Sequence, residues 1–239
     1  MRAWLWAAVL IVLAAGVGVA CGGGGDNAAP TPTPIDRPTL EAMLRSIALK
    51  PEDLPAGFTV TEERITDNEE AAVNDPEGPT KAKERLARWH RLLGQDSTYT
   101  ASDLFGTFVN GGTAVIRASI NIFGDEQGAV DALQWGRNSL ANPGDAATLI
   151  PGVSEISELQ GKPISFPIVG DETVAYEFTG TSKVEDYQVN VPFTAHIVAI
   201  RHGRGVAHIV VSAIGGAKPG PEVEQIIRTL DGRLGQTLR

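Results

Sequence analysis

The sequence predicts an α+β fold: an antiparallel sheet with helices packed mainly on one face, arranged as two hairpin-then-helix halves. Three observations carry that prediction. Thr113–Phe123 alternates, with Ile116, Ala118, Ile120 and Ile122 on one side and Arg117, Ser119 and Asn121 on the other. Period-2 alternation marks a strand with one buried and one wet face. Val189–Arg201 and Gly205–Ile214 are apolar runs flanking His202-Gly203-Arg204-Gly205, which read as a hairpin. Glu222 to about Leu234 carries Val223, Ile226, Ile227 and Leu230 at helical spacing.

The remaining elements follow in chain order. Residues 1–20 read as an export signal, 21–38 as a Gly/Pro-rich linker and 39–239 as a single α+β domain. Gly22–Gly25 is flexible coil, and Ala29-Pro30-Thr31-Pro32-Thr33-Pro34 favours extended polyproline II. Thr39 is the expected N-cap of a helix carrying Leu40, Met43, Leu44 and Ile47, stopped by Pro51. Leu54 to Gly57 suits a type I turn, with a strand over Phe58–Ile65. Residues 67–79 read as a polar loop. Lys81–Leu93 reads as a helix on the stripe Ala82, Leu86, Trp89 and Leu93, with Gly94 at its C-terminal stop. Leu104–Val109 and Thr113–Phe123 flank Asn110-Gly111-Gly112, an Asn-Gly hairpin signal. Asp125 caps a helix through Leu140, and Thr173–Phe178 is a further strand. The 189–214 hairpin, apolar on both faces, belongs at the centre of the sheet.

Charge and cysteine content bound the function. The 239 residues hold 20 Lys+Arg and 29 Asp+Glu. Without residues 1–20, which contain one base, Arg2, the formal charge is −10. An acidic surface repels phosphate backbones, so no nucleic-acid partner is expected. Cys21 is the single cysteine. Intrachain disulfides, thiolate zinc sites and cysteine nucleophiles are thereby excluded.

His196, His202 and His208 recur every six residues. On one strand His196 and His202 would lie about 20 Å apart at ~3.3 Å per residue, too far to share an ion. His208 falls on the face opposite His196 if Val198 pairs with Ile209 or Val211. No metal ligand is assigned. Gly152-Val153-Ser154-Glu155-Ile156 lacks the second glycine of a nucleophile elbow, no Ser-x-x-Lys occurs, and His90 sits among cations. No phosphate loop follows a strand. No catalytic residue and no cofactor are assigned. Glu62, Glu63, Asp67, Glu69, Glu70, Asp75 and Glu77 precede a basic helix with Lys81, Lys83, Arg85, Arg88 and Arg91. The acids lack calcium-loop spacing. Lys81, Arg85 and Arg88 read as a solvated face, and the two segments can neutralise each other.

The start of the chain carries its most specific motif. After Met1-Arg2 come apolar residues from Ala3 to Ala20, ending Gly18-Val19-Ala20 before Cys21. These are the parts of an export signal, and the lone thiol at the junction resembles the lipid-acceptor cysteine of bacterial lipoproteins. The resemblance implies cleavage behind Ala20, acylation of Cys21 and attachment to the outer face of the cell membrane through that lipid. An uncleaved span is a second reading, since eighteen apolar residues lie at the lower edge of the ~17–25 needed to cross a bilayer, and simple secretion is a third. The first two readings put the domain on the same side of the same membrane. Within the domain, Leu49–Val60, Arg85–Tyr99 and Val169-Gly170-Asp171-Glu172 resemble segments of uncharacterised secreted lipoproteins. Some of those are similar to sensor-type or PsbP/Mog1-like α+β domains, which bind rather than catalyse. The expected function is a lipid-anchored extracytoplasmic binding domain whose partner is a protein, wall polymer or small ligand. The alternative is a secreted hydrolase with no recognisable local motif.

Overall fold

The computed structural model describes residues 35–73, 75, 77–150, 154–184 and 189–238. Ala20 and Cys21 lie outside them. Residues from Ile35 onward form one compact unit. Its elements in order are α1 (Arg37–Ile47), β1 (Phe58–Thr66), α2 (Asn68–Ala72), α3 (Pro79–Arg88), β2 (Arg91–Ala101), α4 (Leu104–Asn110), β3 (Gly112–Phe123), α5 (Glu126–Leu140), α6 (Pro143–Ala147), β4 (Ser154–Pro163), β5 (Glu172–Val184), β6 (Val189–His202), β7 (Gly205–Ile214) and α7 (Glu222–Thr237). The seven strands form one antiparallel sheet in the order β1-β2-β3-β7-β6-β5-β4. The fold is α+β, and both halves run strand pair, then helix: β2–β3 into α5, β6–β7 into α7. Among the described residues no helix is long and apolar enough to cross a membrane.

The sheet separates two cores. On one face Leu40, Leu44 and Ile47 of α1 and Ile226, Ile227 and Leu230 of α7 cover Ile116, Ile120, Ile122, Val198, Ile200, Ile209 and Val211. On the other, Ala129 and Leu133 of α5 meet Val206, Val210, Ile197, Phe193 and Phe178. The cover thus continues onto the second face over the central strands, as apolar residues on both sides of β6 and β7 require. Val198 pairs with Ile209, so the 189–214 hairpin is central and His208 opposes His196 in facing.

Several local expectations are corrected. Asp36, not Thr39, caps α1, accepting the Thr39 N–H at 2.8 Å. The helix expected to Leu93 ends at Arg88. His90 takes a left-handed φ of 52° and turns the chain into β2. Its carbonyl accepts Gly124 N–H at 2.8 Å, which pins the reversal. Leu93 is then a buried strand residue, and its helical spacing from Trp89 is coincidental. Leu104–Val109 forms helix α4, capped by Asp103, rather than a strand. Gly111 ends that helix at φ 73°, so the Asn-Gly pair is a helix stop. The true partner of β3 is β2. Its run Gln95-Asp96-Ser97-Thr98 has no apolar alternation to betray it, because its own interactions are polar. The polar segment 67–79 includes α2, and the edge strand β4 was not expected at all.

Candidate functional site

A cleft lies at the end of the sheet where β1 begins, β2 ends and α7 starts. It encloses about 710 Å³, within the ~300–1,000 Å³ usual for ligand sites. Leu54, Phe58 and Ile226 supply its apolar floor, and Glu52, Asp53, Asp103 and Glu222 its charge. No lysine, arginine or histidine is among its lining residues.

Each wall follows from local sequence. Lys50-Pro51-Glu52-Asp53 makes a single 3-10 turn, in which Asp53 accepts Lys50 N–H at 2.7 Å. Arg233 of α7 then bonds Asp53 at 2.8 Å and the Ala48 carbonyl at 2.6 Å, tying this turn to the helix across the core. Glu222 accepts from Thr113 at 3.2 Å and from Gly220 N–H at 2.9 Å. Asp103 is spent partly on Gly106 N–H at 2.8 Å. Glu52 has no ion pair among the described residues. The floor is therefore rigid and the outer carboxylates remain open to a ligand.

A second depression of about 540 Å³ lies at the opposite end, among Glu126, Asp171, Arg201, His202 and Leu238. Asp171, Arg201 and His202 already have partners there. Asp171 accepts from Arg201 at 2.9 Å and Gly203 N–H at 2.7 Å, and His202 Nδ1 lies 2.8 Å from Asp231.

The sheet also gathers the three residue types of a hydrolase, on a different surface. Asp96, Ser119 and His208 stand side by side on β2, β3 and β7. Ser119 Oγ donates to Asp96 Oδ1, and Arg117 lies 3.4 Å from the same carboxylate. Burial opposes ionisation of Asp96, yet Ser119, Arg117, His208 and Arg64 together hold its carboxyl below the usual range. Burial, then Arg117, push His208 down to about 4 against the pull of Asp96, so the imidazole is neutral at pH 7. A catalytic triad needs the imidazole between serine and carboxylate. Here the serine is bonded directly to the carboxylate, which leaves the hydroxyl hydrogen facing an acceptor too weakly basic to activate it. Neither cleft is lined by these residues.

The other sequence candidates take structural partners. His90 Nδ1 meets Asp125, the cap of α5, at 2.6 Å. His196 lies 3.3 Å from Glu177, a buried carboxylate also reached by Lys162 at 2.9 Å and Lys218 at 3.7 Å. The Lys162 bond is the main reason the Glu177 carboxyl titrates low. The acidic and basic segments do neutralise each other: Lys83 pairs with Glu69, and Arg85 with Asp75 and Glu77. Arg85 departs from the expected solvated face. It is buried, with its guanidinium carbon 4.2 Å from the Trp135 ring centre and 5.5 Å from that of Trp89. The cleft residues Glu52, Asp103 and Glu222 come from three distant segments, and no short motif could have joined them. Asp103 ahead of Leu104, Phe105, Phe108 and Val109 was the legible sign of a capped helix.

No protein-family model and no curated protein matches the chain. Among solved structures, the chain is similar to the extracellular domain of PknH from Mycobacterium tuberculosis, with a TM-score of 0.47 and 8% identity over 82% of this chain and 96% of that one.

Proposed function

We infer that this protein is a lipid-anchored, extracytoplasmic, non-enzymatic binding domain that takes its ligand in the cleft at the head of the sheet. The observation supporting the reading is that walled, apolar-floored cleft, in which the Thr113 hydroxyl bonded to Glu222 has no histidine or lysine base among the lining residues. The leader ending at Ala20-Cys21 supports the address. The domain hangs from an acylated Cys21 by the Gly/Pro-rich linker, which at about 3 Å per residue is a short semi-rigid spacer.

Thermal-shift screening of the purified protein against peptides, wall fragments and small metabolites tests the cleft. Hits should raise Tm in the wild type and fail to do so in Ala56→Trp, where an indole at an exposed lining position blocks entry. Hits that ignore Ala56→Trp would place the ligand elsewhere. Turnover of chromogenic esters or amides that disappears in Ser119→Ala would establish the hydrolase instead. For the anchor, detergent-extracted protein should carry an acyl mass on Cys21, and Cys21→Ala should leave the membrane fraction. A Cys21→Ala protein that stays in the membrane would sink the lipid attachment.

A further inference from the structure

The cleft has an apolar ridge along one wall, and the two together describe a partner. Helix α4 contributes Thr107 to the lining, and its capping residue Asp103 sits at the rim. At 100° per residue, Phe105 and Val109 each lie about 160° from Thr107, on the outer side of the helix. They are 64% and 61% exposed, and neighbouring Leu104 is 45% exposed. Three of the seven large apolar side chains most exposed among the described residues thus fall within six consecutive positions. Such a patch beside a polar rim marks an interaction surface.

Charge decides what can cover it. Glu52, Asp103 and Glu222 line the cleft with no lysine, arginine or histidine among its lining residues, Asp53 being paired with Arg233, and the whole chain is acidic, at −9. A second copy would bring its own carboxylates against these. An anionic lipid surface would be repelled in the same way. A small cation could satisfy the carboxylates but would leave Phe105 and Val109 in water. We propose that the head cleft and the outer face of α4 form one docking surface for a basic, amphipathic segment of another protein, with cationic side chains in the cleft and apolar ones on the Phe105–Val109 ridge. This deepens the binding reading above and rests on the head cleft being the ligand site. Electrostatic complementarity of this kind sets partner choice and encounter rate, while the ridge supplies apolar area.

The test uses the full-length protein in phosphatidylcholine nanodiscs and two fluorescent 14-residue helical peptides, one of Lys and Leu, the other with Glu for each Lys. The Lys/Leu peptide should bind, with affinity falling as salt rises, and the Glu/Leu peptide should not. Glu52→Lys should weaken the Lys/Leu peptide at least fivefold and admit the Glu/Leu peptide, a gain that misfolding cannot mimic. Phe105→Ser combined with Val109→Ser should also weaken the Lys/Leu peptide at least fivefold. Equal binding of both peptides, no response to Glu52→Lys, or no response to the ridge variant would overturn the proposal. A ridge variant that only converts dimer to monomer would assign the patch to self-association, and binding matched by empty nanodiscs would assign it to lipid. Thermal-shift hits blocked by Ala56→Trp alongside failure of the Lys/Leu peptide would leave the cleft standing and reject this partner class.

Discussion

Arg91 shows what a single residue can conceal. It was one cation in a basic run, yet its side chain is buried beneath the sheet edge, donating to Asn121 at 2.7 Å, Asn68 at 3.0 Å and Thr66 at 2.9 Å. Burial lowers its pKa to about 10, which still leaves it charged. All three partners are neutral, so each bond to the guanidinium matters. The face of β3 expected to be wet is therefore partly a polar interior, and Asn121→Ala should cost about 1–3 kcal/mol in urea denaturation, the range for orphaning a buried partner. A loss below about 0.5 kcal/mol would mean that water replaces the amide. His208 gives the matching pH prediction. Its folded-state pKa is depressed from 6.5 to about 4, so the folded protein binds fewer protons than the unfolded chain between those values. The stability is fully present above pH 6.5 and falls as pH drops toward 4, by about 2–3 kcal/mol. The loss tied to Asp96, whose carboxyl is held low, begins only below its ordinary 3.8. His208→Gln should flatten the profile between pH 6.5 and 4, as measured by urea midpoints at each pH. An unchanged slope would assign the acid sensitivity to other groups.

At the scale of elements, α5 contains two glycines with opposite expectations. A Cβ on Gly128 would meet the Trp89 carbonyl oxygen at 1.8 Å, whereas one on Gly136 would meet nothing within 4 Å. Helix propensity favours alanine over glycine by roughly 1 kcal/mol at both. Gly136→Ala should then stabilise by about 0.5–1 kcal/mol, while Gly128→Ala should destabilise, because the first turn of α5 must move off the backbone that ends α3. Thermal denaturation of the two variants measures both signs. Central-strand burial is tested by Ile209→Ala. That side chain is fully buried beneath α7, and its loss should cost about 2–5 kcal/mol. A cost near that of an exposed residue would move the core elsewhere.

At the scale of the whole molecule, one sheet carries two cores that share every central strand. Residues 35–239 should therefore unfold in a single transition by both calorimetry and circular dichroism. Two resolved transitions would divide the unit. The lone Cys21 means that this cooperativity comes from packing and buried polar bonds, with no crosslink to restrain the unfolded chain.

The amino-acid sequence by itself determined the α+β class, the alternating strand β3, the central β6–β7 hairpin, helices α5 and α7 and the mutual neutralisation of segments 62–77 and 81–91. Each rests on a periodicity or pairing within a short window, where neighbours in the chain are neighbours in space. Only the tertiary structure decided that polar β2 lies between β1 and β3, and that Arg85 and Arg91 are buried. It alone brought Glu52, Asp103 and Glu222 to one rim. Those outcomes depend on contacts between residues from 8 apart, as Arg85 and Glu77 are, to 170 apart, as Glu52 and Glu222 are. An apolar hexapeptide suits strand or helix equally until Asp103 caps one of them, and a polar strand is stable only when a particular partner supplies its bonds.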